Sequence, residues 1–303
     1  MDHQENVILG IDIGGTNVAF GLIGRLEKKI LWKDSIPIAS CEDPLNLAKL
    51  IKERVEGKGQ ISGIGIGAPN GNFYTGSIEF APNLPWKGIV PLKKIFEEVF
   101  QVPVVVSNDA NAAACGEYIF GHAQDHPHFL MLTLGTGVGS GIFVDGKLVL
   151  GSDGMAGELG HFMVVPNGRP CGCGRNGCLE AYSSSTALIK HYQQLSGKIE
   201  VQTAKEVIEK WNQGDENAKK VIEEAIRILG FSIANFVTIH SPDLIVLFGG
   251  WIQSGEKVIE MIREEFEKNC LQIYRGKVAI CSSFLEGSDS ALLGSSALAL
   301  SSK

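Results

Sequence analysis

The chain has 303 residues, 44% apolar and 20% charged, the proportions of a globular protein with room for two domains. A net charge of −7 argues against a general nucleic-acid surface, and no apolar run reaches the roughly 18–20 residues of a membrane helix. The start, MDHQENVILG, shows no secretory signal, so a cytoplasmic, reducing setting is expected.

Val7–Asp12 reads as a buried strand, Gly14-Gly15-Thr16-Asn17 as a tight turn, Val18–Ile23 as the returning strand and Ile30–Ile38 as a third. Leu45, Leu47, Leu50, Ile51 and Val55 predict a helix over Pro44–Val55. Ile61–Ile66 and Val102–Val106 are β-branched runs, hence buried strands. Asp109 is a plausible N-cap for a helix over Ala110–Phe120. Phe129–Thr133, the turn Gly135-Thr136-Gly137 and Gly139–Val144 then repeat the opening pattern, with Asp145-Gly146 turning into Lys147–Leu150. ILGIDIGGTNVAFGLI and FLMLTLGTGVGSGIFV thus read as two copies of one strand–turn–strand unit, the mark of a duplicated domain. Helices follow over Thr186–Leu195, Thr203–Trp211, Asn217–Ile239, Glu256–Asn269 and Ala291–Leu300, with strands at Leu244–Phe248 and Val278–Cys281. Alternating strands and helices indicate an α/β architecture.

The chemistry concentrates in loops. Asp12 closes a strand ahead of a glycine turn whose amides can meet phosphate oxygens, with Thr16 and Asn17 as further donors and Asp12 as a Mg2+ ligand; an ordinary hairpin has the same look. Gly135-Thr136-Gly137 offers a second such turn, and Gly249-Gly250, after a buried strand, is either a bare platform for a nucleoside or a plain turn. Asp109 sits at a strand-to-helix junction, where it caps the helix or takes a proton from an attacking hydroxyl. Asn83 is either a turn residue or a ligand contact. Most specific is GELGHFMVVPNGRPCGCGRNGCLE, residues 157–180, where His161, Cys171, Cys173 and Cys178 make a full tetrahedral zinc set and leave Glu158 and Glu180 to spare. Disulfides fit this spacing badly. Cys41, Cys115, Cys270 and Cys281 read as reduced core residues.

DIGGTN, NDANAAACGE, LGTGVGSGI, GELGH, CGCGRNGCLE and LFGG occur in this order along nearly the whole chain. In these motifs the chain resembles the ROK family of sugar kinases and sugar-responsive repressors, and its cysteine pattern looks most like the family's glucokinases. The resemblance implies two RNase H-like lobes of the actin/hexokinase/Hsp70-like superfamily with a cleft between them. The expected division is 1–120, joined by a C-terminal helix over about 290–303, and 121–289 with the zinc loop. It implies MgATP and a hexose as ligands, structural Zn2+ and a homodimer, with neither nucleic acid nor membrane as partner. Asp109 would be the general base on the 6-hydroxyl, and Asn83, Asn108, Glu158, His161 and Glu180 would bind sugar hydroxyls. Asp12, Gly14, Gly15, Thr16, Asn17, Gly135, Thr136 and Gly137 would handle metal and phosphates, and Gly249 and Gly250 the adenosine. The expected activity is ATP-dependent phosphorylation of an aldohexose, glucose first. Another hexose such as fructose, or an N-acetylhexosamine such as N-acetylmannosamine, is the alternative substrate, and sugar sensing without catalysis the alternative class. The repressors carry a helix-turn-helix ahead of the body, for which residues before Asp12 leave no room.

Overall fold

A computed structural model describes residues 6–81, 83–285, 287 and 289–301. β1 (Asn6–Ile13), β2 (Asn17–Gly24) and β3 (Ile30–Pro37) form an antiparallel meander. α1 (Pro44–Val55) follows, its N-terminus set by Asp43, which accepts from the Asn46 amide at 2.7 Å, and by Pro44 at the first helical position. β4 (Gln60–Gly67) lies parallel to β1. β5 (Gly71–Asn72), β6 (Ser77–Glu79) and β7 (Ile89–Val90) make a small separate sheet, followed by α2 (Leu92–Phe100), β8 (Val104–Ser107) parallel to β4, and α3 (Asp109–Phe120).

The pattern then restarts with β9 (Phe129–Leu134), β10 (Val138–Val144) and β11 (Lys147–Leu148). Asp145 and Gly146, at φ 52° and 71°, turn β10 into β11 with the left-handed pair that a two-residue hairpin requires. α4 (Glu180–Ser183), α5 (Ser185–Ser196), α6 (Ala204–Asn212) and α7 (Glu216–His240) follow, then β12 (Leu244–Phe248), α8 (Glu256–Asn269), β13 (Ala279–Ser282) and α9 (Asp289–Ser301). Thr203 and Glu206 cap α6 reciprocally.

The strand orders are β3-β2-β1-β4-β8 and β11-β10-β9-β12-β13, so each sheet has a hairpin on one side of its first strand and parallel strands on the other. The repeat read from the two glycine hairpins is therefore a repeat of topology. The chain divides into unit 1, Met1–Asp125 with Leu148–Ala156 and Phe284–Lys303, and unit 2, His126–Lys147 with Gly157–Ser283. In unit 1 the core includes Leu9, Ile11, Phe20, Leu47, Ile51, Ile64, Phe96 and Val106, all buried between the sheet and its helices. Burying each such side chain stabilises the fold by about 1.5–3 kcal/mol. In unit 2, Phe129, Leu132, Ile233, Phe236 and Ile245 are as fully buried. Cys41, Cys115 and Cys270 are buried, whereas Cys281 is half-buried; all seven cysteines are free thiols. Among the described residues no helix is long and apolar enough to cross a membrane.

Candidate active site

In unit 1 the parallel strands end level, with Asp12 beside Gly67 and Gly67 beside Ser107. Ligands of open α/β sheets gather at such carboxyl ends. The Gly14 amide donates to the Asn17 carbonyl at 2.9 Å and closes the turn, leaving Gly15, Thr16 and Asn17 exposed. Asn83 lies against this turn: its carbonyl oxygen is 3.3 Å from where a side chain on Gly15 would start. Past Ser107 the chain enters α3. The cap is Asn108, one residue earlier than the sequence indicates; its backbone is extended, and its side chain accepts from the Asn111 amide at 2.7 Å. Asparagine and aspartate cap about equally well, so the choice falls to backbone geometry. Asp109 is thereby the first helical residue, exposed, and its carboxyl accepts from the Ala110 amide at 2.9 Å. Burial, and then the charge of Asp109, push the Asp12 carboxyl up to about 6. Two carboxyl groups from the ends of different strands thus sense each other beside a glycine turn.

In unit 2 the corresponding edge is built differently. Leu134 leads into Gly135-Thr136-Gly137, and the Val138 amide donates to Glu180 Oε2 at 3.1 Å. Glu180 Oε1 accepts from the Cys171 thiol at 3.3 Å, so this carboxyl joins the glycine turn to the cysteine loop. Gly249 follows β12 at φ 145°, and a side chain there would start 2.2 Å from the Leu134 carbonyl oxygen. Only glycine fits. Beside it a side chain on Gly250 would meet open space. The structure therefore brings the second glycine turn, Glu180 and the Gly249-Gly250 pair to one edge of one sheet.

The cysteine loop is folded tightly on itself. Cys171 N–H donates to the Arg175 carbonyl at 2.8 Å, and Met163 and Pro170 make isolated bridges to Cys178 and Asn176. The donor atoms of His161, Cys171, Cys173 and Cys178 lie within 4.8 Å of one another. His161 Nδ1 is 3.6 Å from Cys171 Sγ, and the sulfurs of Cys173 and Cys178 are 3.7 Å apart. A tetrahedral ion with bonds to sulfur of about 2.3 Å needs edges of about 3.8 Å, so the residues fit zinc. Burial pushes the Cys171 thiol up to about 12, while the Arg175 amide, and then its guanidinium, hold Cys173 down at about 6. A divalent cation would offset the cost of gathering three sulfurs. Because Nδ1 points at the sulfurs, Nε2 is the ring nitrogen left to face a ligand.

Two supports were not anticipated. Buried Ser140 donates to the Gly157 carbonyl and accepts from the Leu159 amide at 3.3 Å, bracing the segment that carries exposed Glu158. Arg169 donates to Glu224 at 2.7 Å and lies over the Tyr182 ring, anchoring the cysteine loop to α7. Ser140 belongs to the LGTGVGSGI motif, so a signal existed; Arg169 and Glu224 meet only in the fold.

Two α/β units of one strand order, each with a glycine turn at its carboxyl edge, define a protein of the actin/hexokinase/Hsp70-like class. Within it the chain matches the ROK family over residues 8–302 and belongs to that family. It is 36% identical to the glucokinase of Halalkalibacterium halodurans over 285 residues, 87% of this chain and 86% of that one. It is similar to the crystal structure of a ROK glucokinase from Streptomyces griseus in complex with glucose and AMPPNP, at 33% identity and TM-score 0.80, covering 97% and 99% of the two chains. It is also 29% identical to the xylose repressor of Caldicellulosiruptor bescii, over 90% of this chain and 73% of the repressor.

Proposed function

We propose that this protein is an ATP-dependent hexokinase that phosphorylates the 6-hydroxyl of an aldohexose, with glucose as the principal substrate. The observation that carries this is the exposed Asp109 beside the raised Asp12 carboxyl, in a chain that aligns over 87% of its length with a glucokinase. Asp109 accepts the hydroxyl proton as that oxygen attacks the γ-phosphorus and the bond to the bridging oxygen breaks, releasing ADP. Asn83, Asn108, Glu158, His161 Nε2 and Glu180 hold and orient the sugar hydroxyls. The amides of both glycine turns, with Thr16, Asn17 and Thr136, neutralise charge on the transferring phosphoryl group. Gly249 and Gly250 seat the adenosine. Asp12 would hold Mg2+, which when bound supplies charge neutralisation on the phosphates, and His161, Cys171, Cys173 and Cys178 would hold structural Zn2+. A homodimer in the cytoplasm, with no nucleic-acid partner, is the setting we infer; seven free thiols and an ATP substrate suit it.

The likeness to a xylose repressor favours a second reading, sugar sensing without catalysis. One assay separates them: purified protein, ATP and Mg2+ against glucose, mannose, fructose and N-acetylmannosamine with coupled ADP detection. The kinase reading expects turnover, with kcat/KM for glucose at least tenfold above the others. Absence of ADP with every sugar overturns the kinase reading, and a preference for another sugar overturns the glucose assignment.

A further inference from the structure

Glu117 belongs to the NDANAAACGE motif but to no step above. Its side chain is fully buried near the end of α3. Among the described residues, four backbone N–H groups converge on this residue. Its carbonyl accepts from Gly121 at 3.0 Å and Ala123 at 3.2 Å, and its carboxyl accepts from His122 at 3.0 Å and Leu285 at 3.3 Å. A side chain on Gly121 would begin 2.0 Å from that carboxyl, so the neighbouring glycine is what lets it fold back.

The partners matter because of where the chain goes. The chain first leaves unit 1 after Asp125, two residues past Ala123, revisits it over Leu148–Ala156, and returns for the last time at Phe284, one residue before Leu285. The His122 and Phe284 rings meet edge to face at 5.5 Å, a second tie between the outgoing and returning segments. On the unit 2 side, Ser283 N–H donates to the Leu247 carbonyl at 2.8 Å, and His126 Nδ1 lies 3.1 Å from an Asp243 carboxyl oxygen. Fixed points therefore stand close on either side of the first and last crossings: Leu285 and Ser283 flank Phe284, and Ala123 and His126 flank Gln124-Asp125.

We propose that Glu117 is a positioning residue that fixes the hinge of this kinase. It ties two of the four chain crossings, the first and the last, to one buried point, so that bending at these two is confined to Gln124-Asp125 and Phe284. The proposal rests on the kinase reading, in which the enzyme must open and close around its substrates. A hinge device acts on closure, so its loss moves kcat and KM together rather than the chemical step alone.

The test uses the full-length protein. Glu117→Gln keeps the shape but turns one acceptor oxygen into an NH2 that cannot accept, leaving either the His122 or the Leu285 amide without its partner. Hydrogen exchange read by mass spectrometry, with and without glucose, follows peptides spanning 118–126 and 282–287. In wild type, the His122 and Leu285 amides are expected to be protected in both states, with glucose changing exchange at Gln124-Asp125 and Phe284. In Glu117→Gln, protection is expected to fall at least tenfold at one of the two amides, His122 or Leu285, the other keeping the remaining oxygen. Glucose KM is expected to rise and kcat to fall, each about three- to tenfold, with Glu117→Asp restoring part of both. A folded Glu117→Gln with wild-type kcat and KM overturns the proposal, and so do wild-type His122 and Leu285 amides that exchange as freely as exposed loop amides. If no hexose is phosphorylated, the kinase reading fails instead; the exchange pattern at His122 and Leu285 then still decides whether Glu117 pins the crossings.

Discussion

The two sheets share a strand order and a glycine hairpin but place different chemistry at the same position. Where β1 carries Asp12, paired to Gly67 of the neighbouring parallel strand, β9 carries Thr133, paired to Phe248. The first edge holds a carboxyl at a cost: burial, and then the charge of exposed Asp109, push Asp12 up to about 6. The second holds its carboxyl, Glu180, in a hydrogen bond from the Val138 amide. A strained edge suits a group that must exchange partners during a reaction, and a satisfied one suits a surface that must keep its shape. Duplication supplied one scaffold twice, and the loops after it set the two tasks apart.

If this contrast is right, removing the reactive carboxyl should have the largest effect. Asp109→Ala is expected to lower kcat by about 10³-fold, within the range of general-base catalysis, while calorimetry finds glucose affinity changed less than about threefold. A near-normal kcat would remove the distinction between the two edges. Next comes the metal loop. Elemental analysis is expected to find about one zinc per chain, and Cys173→Ser to lose it together with about 10- to 100-fold of activity. Active wild-type protein free of metal would refute the clamp.

Asp12→Asn sharpens the comparison through stability. A carboxyl whose folded value lies above its unfolded value binds more protons when folded, so its contribution to stability falls as pH rises from about 4 to about 6 and stays low above that. Without Mg2+ and nucleotide, Asp12→Asn is therefore expected to raise Tm relative to wild type at pH 7.5 but not at pH 4, while activity drops at least tenfold. Equal shifts at both pH values would show that Asp12 is not held at a cost. The smallest effect is expected at Gly250→Ala: a severalfold rise in ATP KM with Tm and glucose KM unchanged, since open space lies above that residue. Gly249→Ala should instead lower Tm by several degrees, its side chain meeting the Leu134 carbonyl.

What could be read from residue order was whatever depends on neighbours in the chain. Pro44–Val55, Leu244–Phe248 and Glu256–Asn269 fall where their apolar patterns put them. The metal set was legible because its four donors lie within one loop. α2 went unread although Leu92, Ile95, Phe96 and Val99 have helical spacing, because it is short and follows a proline-rich stretch. The strands β5 to β7, two or three residues each, are too brief for a period of two to register. Contacts between distant segments were out of reach: Asn83 against Gly15, Glu180 under the second glycine turn, and Arg169 on Glu224 appear only when the chain is folded.

The last helix has a bearing on how the molecule is made. α9 lies so close to the first sheet that a side chain on Gly65 of β4 would start 1.8 Å from the Ser295 carbonyl. Its Ser295, Ser296, Ala297 and Leu298 are buried there. Unit 1 is thus sealed by a segment that leaves the ribosome after all of unit 2. The nascent first sheet must wait with one face open, and chaperone capture during synthesis should concentrate in that interval.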